Sequence, residues 1–188
     1  MTRAAVVAAA RELTVTRGWA AVRMATVAEL AGVSRQTVYN EFGGRAGLAD
    51  AVAHAEIERF VAGVRAALFA HGGRVREAVA AAVRFTLDEA AGNPLIRVIL
   101  TSSRGGTDPL LAYLTTRSDV VMAEAAVPLL EWAAAHLPPL DGEELAFAVD
   151  TVIRLVVSHI VLPLRPPEQT AESLAGLVVL LLDASLRR

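Results

Sequence analysis

Apolar residues recur along most of this chain at the three-to-four-residue spacing of one helix face, and Gly, Pro and Asp mark the breaks between them. The pattern therefore predicts helices from one end to the other. Ala4, Val7, Ala10 and Leu13, with Arg3, Arg11 and Glu12 between them, predict an amphipathic first helix and not a secretory signal. Thr26 to Leu48 reads as two short helices joined by a glycine turn and followed by a third. Val27, Ala28, Leu30 and Ala31 are small and apolar where the first arm must pack, Gly32 supplies the sharp turn, and Val33 can plug the angle. Ser34 is a good N-cap for the next helix, Arg35 to Phe42, which is apolar only at the i,i+4 pair Val38 and Phe42. Arg35, Gln36, Thr37, Tyr39, Asn40 and Glu41 are left pointing outward. This is a helix-turn-helix pattern.

Beyond it the turn signals predict long helices: Arg45 to about Ala70, Val75 to Ala91, and a short one from Leu95 to about Ser102. After the Arg104–Thr107 loop, Asp108 to Leu137 follows, with a bend expected before Pro128, and it stops at Pro138-Pro139. Asp141 opens Gly142 to about Leu162, and Glu168 to Leu186 is the last. The expected fold is all-α, with about nine helices. It divides into an N-terminal unit that carries the helix-turn-helix, residues 1–48, and a larger helical domain, residues 49–188.

The last two helices are apolar nearly all round. Val149, Val152, Ile153, Leu155, Val156, Val157, Ile160 and Val161 crowd one, and Leu174, Leu177 and Val178 to Leu182 the other. A surface helix of a monomer should carry a single apolar stripe. Burial within one subunit would cover the excess, but a two-fold four-helix interface between two copies is the reading favoured here.

Charge sharpens the division. The chain carries a formal −2, unlike a generic nucleic-acid binder, yet residues 1–48 hold six Arg against three Glu, a net +3, so the remainder carries −5. Positive potential sits where the motif is. All basic residues are Arg, a bias that reflects base composition more than any one site. The absence of Cys excludes disulfides and thiolate metal sites and fits a reducing, cytoplasmic setting. The longest apolar run, Leu174 to Leu182, is far short of the roughly 20 residues a membrane span needs, so no membrane association is expected.

The outward side chains of the Arg35–Phe42 helix are donors and acceptors suited to base edges and phosphates. Arg35 can fork onto guanine, and Gln36 or Asn40 can pair with adenine. Arg45, at the start of the long fourth helix, adds its charge to that helix's dipole, a combination that attracts phosphate. The order Gly32-Val33-Ser34, Thr37-Val38-Tyr39, Phe42, a basic residue at Arg45 and Leu48 resembles the N-terminal domain of the tetracycline-repressor (TetR) family of transcriptional regulators. The resemblance is specific over Val6 to Ala53 and beyond that is one of helical architecture and length. It implies that Arg35, Gln36, Thr37 and Asn40 face the major groove while Tyr39 and Arg45 reach phosphates, with Arg23 and Ser34 completing the DNA-facing set. It also implies a homodimer on a near-palindromic operator, with recognition helices about one DNA turn, about 34 Å, apart. Two departures stand out. Arg23 occupies the place of the family's usual capping Thr, and Glu41 puts an acid on the outer face, where phosphate would repel it and a cytosine amine could donate to it.

The middle helices, rich in Ala, Val and Leu, would enclose a pocket for a small lipophilic effector, with Arg84, Tyr113, Trp132, His136, Arg154 and His159 as candidate polar lining. Each has a plainer role open to it: Arg154 can pair with Asp150 four residues earlier, Trp132 and Tyr113 can be core, and His136 can cap a helix end. Enzymatic activity is not expected. No nucleophile elbow, zinc pair, dinucleotide turn or phosphate loop occurs, the four His residues are too scattered to ligate a metal, and no cofactor is implied. The reading is a homodimeric repressor released from DNA by its ligand. The alternative, a helical carrier or interaction module that does not bind DNA, leaves the outward residues of Arg35–Phe42 without a task.

Overall fold

Helical periodicity and strong local caps produce the elements that the computed structural model shows; it describes residues 3–93, 95, 96 and 118–185. Helix α1 is Arg3–Arg17, and a single 3-10 turn at Trp19–Ala21 leads to α2, Met24–Leu30, and α3, Arg35–Phe42. Next come α4, Arg45–Phe69, and α5, Val75–Gly92. Then α6 is Ser118–His136, α7 is Gly142–Val161 and α8 is Pro167–Ser185. Among the described residues there are eight α-helices and no strand. The expected short helix at 95–102, apart from Leu95 and Ile96, lies outside the described residues, as do the 104–107 loop and the first ten residues of the expected Asp108 helix. Pro128 is buried inside α6, which runs on through it as one helix.

Two units can be distinguished, Met1–Glu58 with Asn93–Ser118, and Arg59–Gly92 with Asp119–Arg188. In the first, α1 buries Val6, Val7, Ala10 and Leu13 against the 3-10 turn and α2, while Trp19, Val22, Val27, Leu48 and Val52 complete the core. Ala4, expected on the inner stripe of α1, is exposed. A buried polar cluster crosses this core. The Glu56 carboxylate, 1% exposed, accepts from Arg11 Nε at 2.5 Å and Nη2 at 3.3 Å and from Asn93 Nδ2 at 2.6 Å. Asn93 Oδ1 accepts in turn from the Leu95 backbone N–H at 3.1 Å. A buried carboxylate is tolerable only when it is paired and hydrogen-bonded in this way.

In the second unit, α5 lies along α8 and also meets α7. Small residues are prominent among the buried positions of both helices: Ala78, Ala82 and Ala90 on α5, and Ala171 and Ala175 beside Leu174 on α8. Ion pairs Arg76–Glu172 and Arg84–Glu168, both 3.2 Å, flank that seam. On α7 the buried residues are Val149, Val152, Val156 and Ile160, a single stripe at helical spacing. Its cap is as expected, with Asp141 Oδ1 accepting from the N–H groups of Glu143 at 3.0 Å and Glu144 at 2.9 Å. Among the described residues, other apolar side chains of this stretch stay open, on α7, on α8 and in the link between them. Phe147, Leu162, Leu164 and Leu180 are each more than 60% exposed.

Candidate nucleic-acid interface

The turn between α2 and α3 is built by backbone geometry before any side chain reads anything. Gly32 takes φ 64°, and the N–H groups of Gly32 and Val33 return to the carbonyls of Glu29 and Ala28 at 3.1 and 2.9 Å. Val27, Ala28 and Ala31 are buried as expected. Leu30 is not: it is 56% exposed, because the packed stripe of this short helix runs through 27, 28 and 31 and leaves 30 to one side. Ser34 caps α3, its Oγ accepting from the Thr37 N–H at 3.0 Å and lying 2.8 Å from Thr37 Oγ1. Gly43, at φ 69°, closes the helix in the left-handed conformation and donates to the Tyr39 carbonyl at 2.8 Å. Val38 and Phe42 are the two buried residues of α3.

Arg35, Gln36, Thr37, Tyr39, Asn40 and Glu41 are all exposed. They are also ordered among themselves by i,i+4 contacts. The Arg35 guanidinium lies 5.3 Å from the centre of the Tyr39 ring, with Nη2 at 3.4 Å from the hydroxyl oxygen, and Gln36 Nε2 donates to Asn40 Oδ1 at 2.8 Å. A capped helix pinned by two apolar residues thus presents a guanidinium, two amides, a hydroxyl and a phenol together on one open surface. That inventory matches what major-groove base edges and phosphates require.

The flanking cations are placed differently from each other. Arg23 stands at the N-cap of α2 without capping it, and its Nη1 donates instead to the Ala20 carbonyl at 2.6 Å. Arg45 is half-buried. Its Nη2 donates to the Trp19 carbonyl at 2.5 Å, its guanidinium lies 5.2 Å from the Trp19 ring centre, and its buried Nε has no hydrogen-bond partner. Arg45 therefore ties the start of α4 to the turn after α1, a role that sequence reasoning missed because Trp19 lies 26 residues away. Arg3 was missed as well: its Nη1 donates to Glu41 Oε1 at 3.1 Å, and its guanidinium sits 5.0 Å from the Phe42 ring centre. The only sequence signal was the unexplained acid at 41.

Of the residues considered for an effector, the structure brings Trp132 and His136 together. Arg84 and Arg154 are exposed and ion-paired: Arg84 pairs with Asp88 and Glu168 at 3.5 and 3.2 Å, and Arg154 donates to Asp150 at 2.7 Å. The hydrogen bond and charge of Asp150 raise the Arg154 pKa above its ordinary value. Trp132 is core, its Nε1 donating to the Gly72 carbonyl at 3.0 Å, and His136 stacks on it with ring centres 5.3 Å apart. His159 is half-buried on α7, and Tyr113 lies outside the described residues. A recess of about 100 Å³ is lined by Val75, Leu137, Pro138, Leu140, Val179, Leu182 and Asp183, none of them a candidate. It is well below the roughly 300–1,000 Å³ of a typical small-molecule site. Among the described residues no cluster of His, Asp or Glu could hold a metal, and no helix is long and apolar enough to cross a membrane.

Residues 6–52, the span of the helix-turn-helix, match the family model described as "Bacterial regulatory proteins, tetR family", and residues 75–179 match "Bacterial Tetracyclin repressor, C-terminal domain". The chain belongs to the TetR family. It is 35% identical over 185 residues to the HTH-type transcriptional regulator AlkX of Mycobacterium tuberculosis, a match covering 94% of this chain and 82% of the relative. Among solved structures it resembles the TetR family repressor AlkX of a Dietzia strain, described as implicated in biodegradation of n-alkanes, with TM-score 0.74 and 31% identity over 98% of this chain and 99% of that one. The fold alone is shared with the fatty acid degradation regulator FadR of Bacillus halodurans, at 16% identity and TM-score 0.58 over 95% and 98% of the two chains. The protein is accordingly a DNA-binding transcriptional regulator of the TetR family, and TetR regulators bind operator DNA as dimers and respond to ligands.

Proposed function

We propose that this TetR-family chain is a cytoplasmic, homodimeric repressor that holds a near-palindromic operator and is released from it by a small lipophilic ligand, without catalysis. The observation that carries the DNA half of this reading is the capped helix α3, with six polar side chains exposed on one element and only Val38 and Phe42 buried. Arg35, Gln36, Thr37 and Asn40 are taken as the base-reading set. Ser34, Tyr39, Arg23 and Arg45 are taken as backbone-contacting or supporting residues, with Arg45 acting in part through its hold on Trp19. The functional boundary is placed at 48/49, so that residues 1–48 read DNA and residues 49–188 bind effector and partner.

Two copies are favoured because the last two helices keep Phe147, Leu177, Leu180 and Leu181 exposed beside their buried stripes, an apolar surface that a second copy would cover. For the effector, the likeness to a repressor implicated in n-alkane biodegradation favours a molecule with a long alkyl chain, which small apolar side chains can accommodate. Coupling requires only that the ligand prefer a conformation in which α4 has shifted and the recognition helices no longer match the groove spacing. A differential of roughly 1–3 kcal/mol changes DNA affinity about 5–150-fold.

The test is a random-sequence DNA selection with the purified protein at near-physiological salt. A strong palindrome with half-sites about one helical turn apart is expected. Weak, sequence-independent and steeply salt-dependent binding would overturn the reading in favour of a helical carrier.

A further inference from the structure

Glu41 is the one acid on the exposed surface of α3, and DNA carries one negative charge per roughly 1.7 Å of its axis. An unpaired carboxylate there opposes binding. The structure brings a cation to it from the far end of the unit: Arg3, the first residue of α1, donates to Glu41 Oε1 at 3.1 Å and lays its guanidinium over Phe42, 5.0 Å from the ring centre. Two contacts from two adjacent residues of α3 hold one guanidinium at the C-terminal end of that helix. Both side chains remain open, at 59% and 46% exposure. So exposed an ion pair contributes little to folding, and stability does not account for it.

We propose that Arg3 is a masking and positioning residue of the DNA-reading surface, neutralising Glu41 so that α3 can approach the phosphate backbone with an acid at its end. The proposal rests on the reading that α3 enters the groove. Its consequences follow from charge. The parental pair is locally neutral, removal of Arg3 leaves −1, removal of the Glu41 charge leaves +1, and removal of both returns to neutral. Glu41 then serves as the holder of Arg3 and not as a base reader.

The experiment compares parent, Arg3→Ala, Glu41→Gln and the double variant on the duplex enriched by the selection above, with dissociation constants followed by fluorescence anisotropy across a salt series. Arg3→Ala is expected to bind about fivefold more weakly and to lower the salt slope by about one. Glu41→Gln is expected to bind at least as tightly as the parent, to raise the slope by about one, and to keep the same base preferences. The double variant is expected to return to parental affinity and slope. That rescue separates masking from a merely structural contact between α1 and α3, which Glu41→Gln would not repair. Parental binding by Arg3→Ala, failure of the double variant to recover, or a changed preference at one base pair in Glu41→Gln would each overturn the proposal. Arg35→Ala on the same duplex keeps the outcomes apart. If it too binds as the parent does, the placement of α3 is wrong; if it loses base preference while Arg3→Ala is silent, masking alone fails.

Discussion

At the scale of single residues, the side chains of α3 divide by what they touch. Among the described residues Arg35 is held by Tyr39 of its own helix, and its exposed guanidinium is open to a base edge. Arg35→Ala should cost roughly 1–3 kcal/mol of operator affinity and relax preference at one base pair, measurable by competition between operators altered at single positions. Arg45 contributes to folding as well as to charge, since its bond to the Trp19 carbonyl closes the start of α4 onto the turn after α1. Arg45→Ala should lower unfolding free energy by about 1–2 kcal/mol in urea titration, in addition to any uniform loss of DNA binding. Glu56 is the residue with most at stake, buried and accepting from both Arg11 and Asn93. Glu56→Ala strands the buried Asn93 amide and half-frees Arg11, and should destabilise by about 1–3 kcal/mol in the same titration. None of these partnerships was legible from residue type alone.

At the scale of elements, agreement between sequence and structure is close wherever the signal is local. Ser34 and Asp141 were readable as caps, because a cap is a contact between residues two or three apart, and both cap bonds are present. Ser34→Ala should therefore cost about 1 kcal/mol and loosen α3 selectively, seen as faster amide exchange at Thr37 than in α1. Gly47 had no such signal. A Cβ at that position would collide with the Phe42 carbonyl oxygen, so the entry of α4 passes against the end of α3 at a distance only glycine permits. Leu30 shows the converse error: its type suggested packing, but the buried stripe of α2 leaves it outside.

At the scale of the molecule, the apolar character of the last two helices was visible in sequence, and the structure divides it into buried stripes, partly covered flanks and a few open side chains. Leu180 is 68% exposed, so Leu180→Glu should leave the chain folded while shifting dimer to monomer in sedimentation equilibrium and weakening operator binding. A variant that stayed dimeric with unchanged affinity would place the interface elsewhere.

Local order along the chain carries the all-helical class, the helix-turn-helix with its outward polar set, and the caps at Ser34 and Asp141. Those properties rest on contacts within four residues or on the backbone freedom of single glycines, and so they are written in local order. Only the tertiary structure decided that Arg45 grips Trp19, that Arg11 and Asn93 meet on Glu56, and that Arg3 reaches Glu41. These pairs lie 26 to 45 residues apart. Their meeting depends on the angles at which helices pack, and no periodicity along the chain encodes those angles.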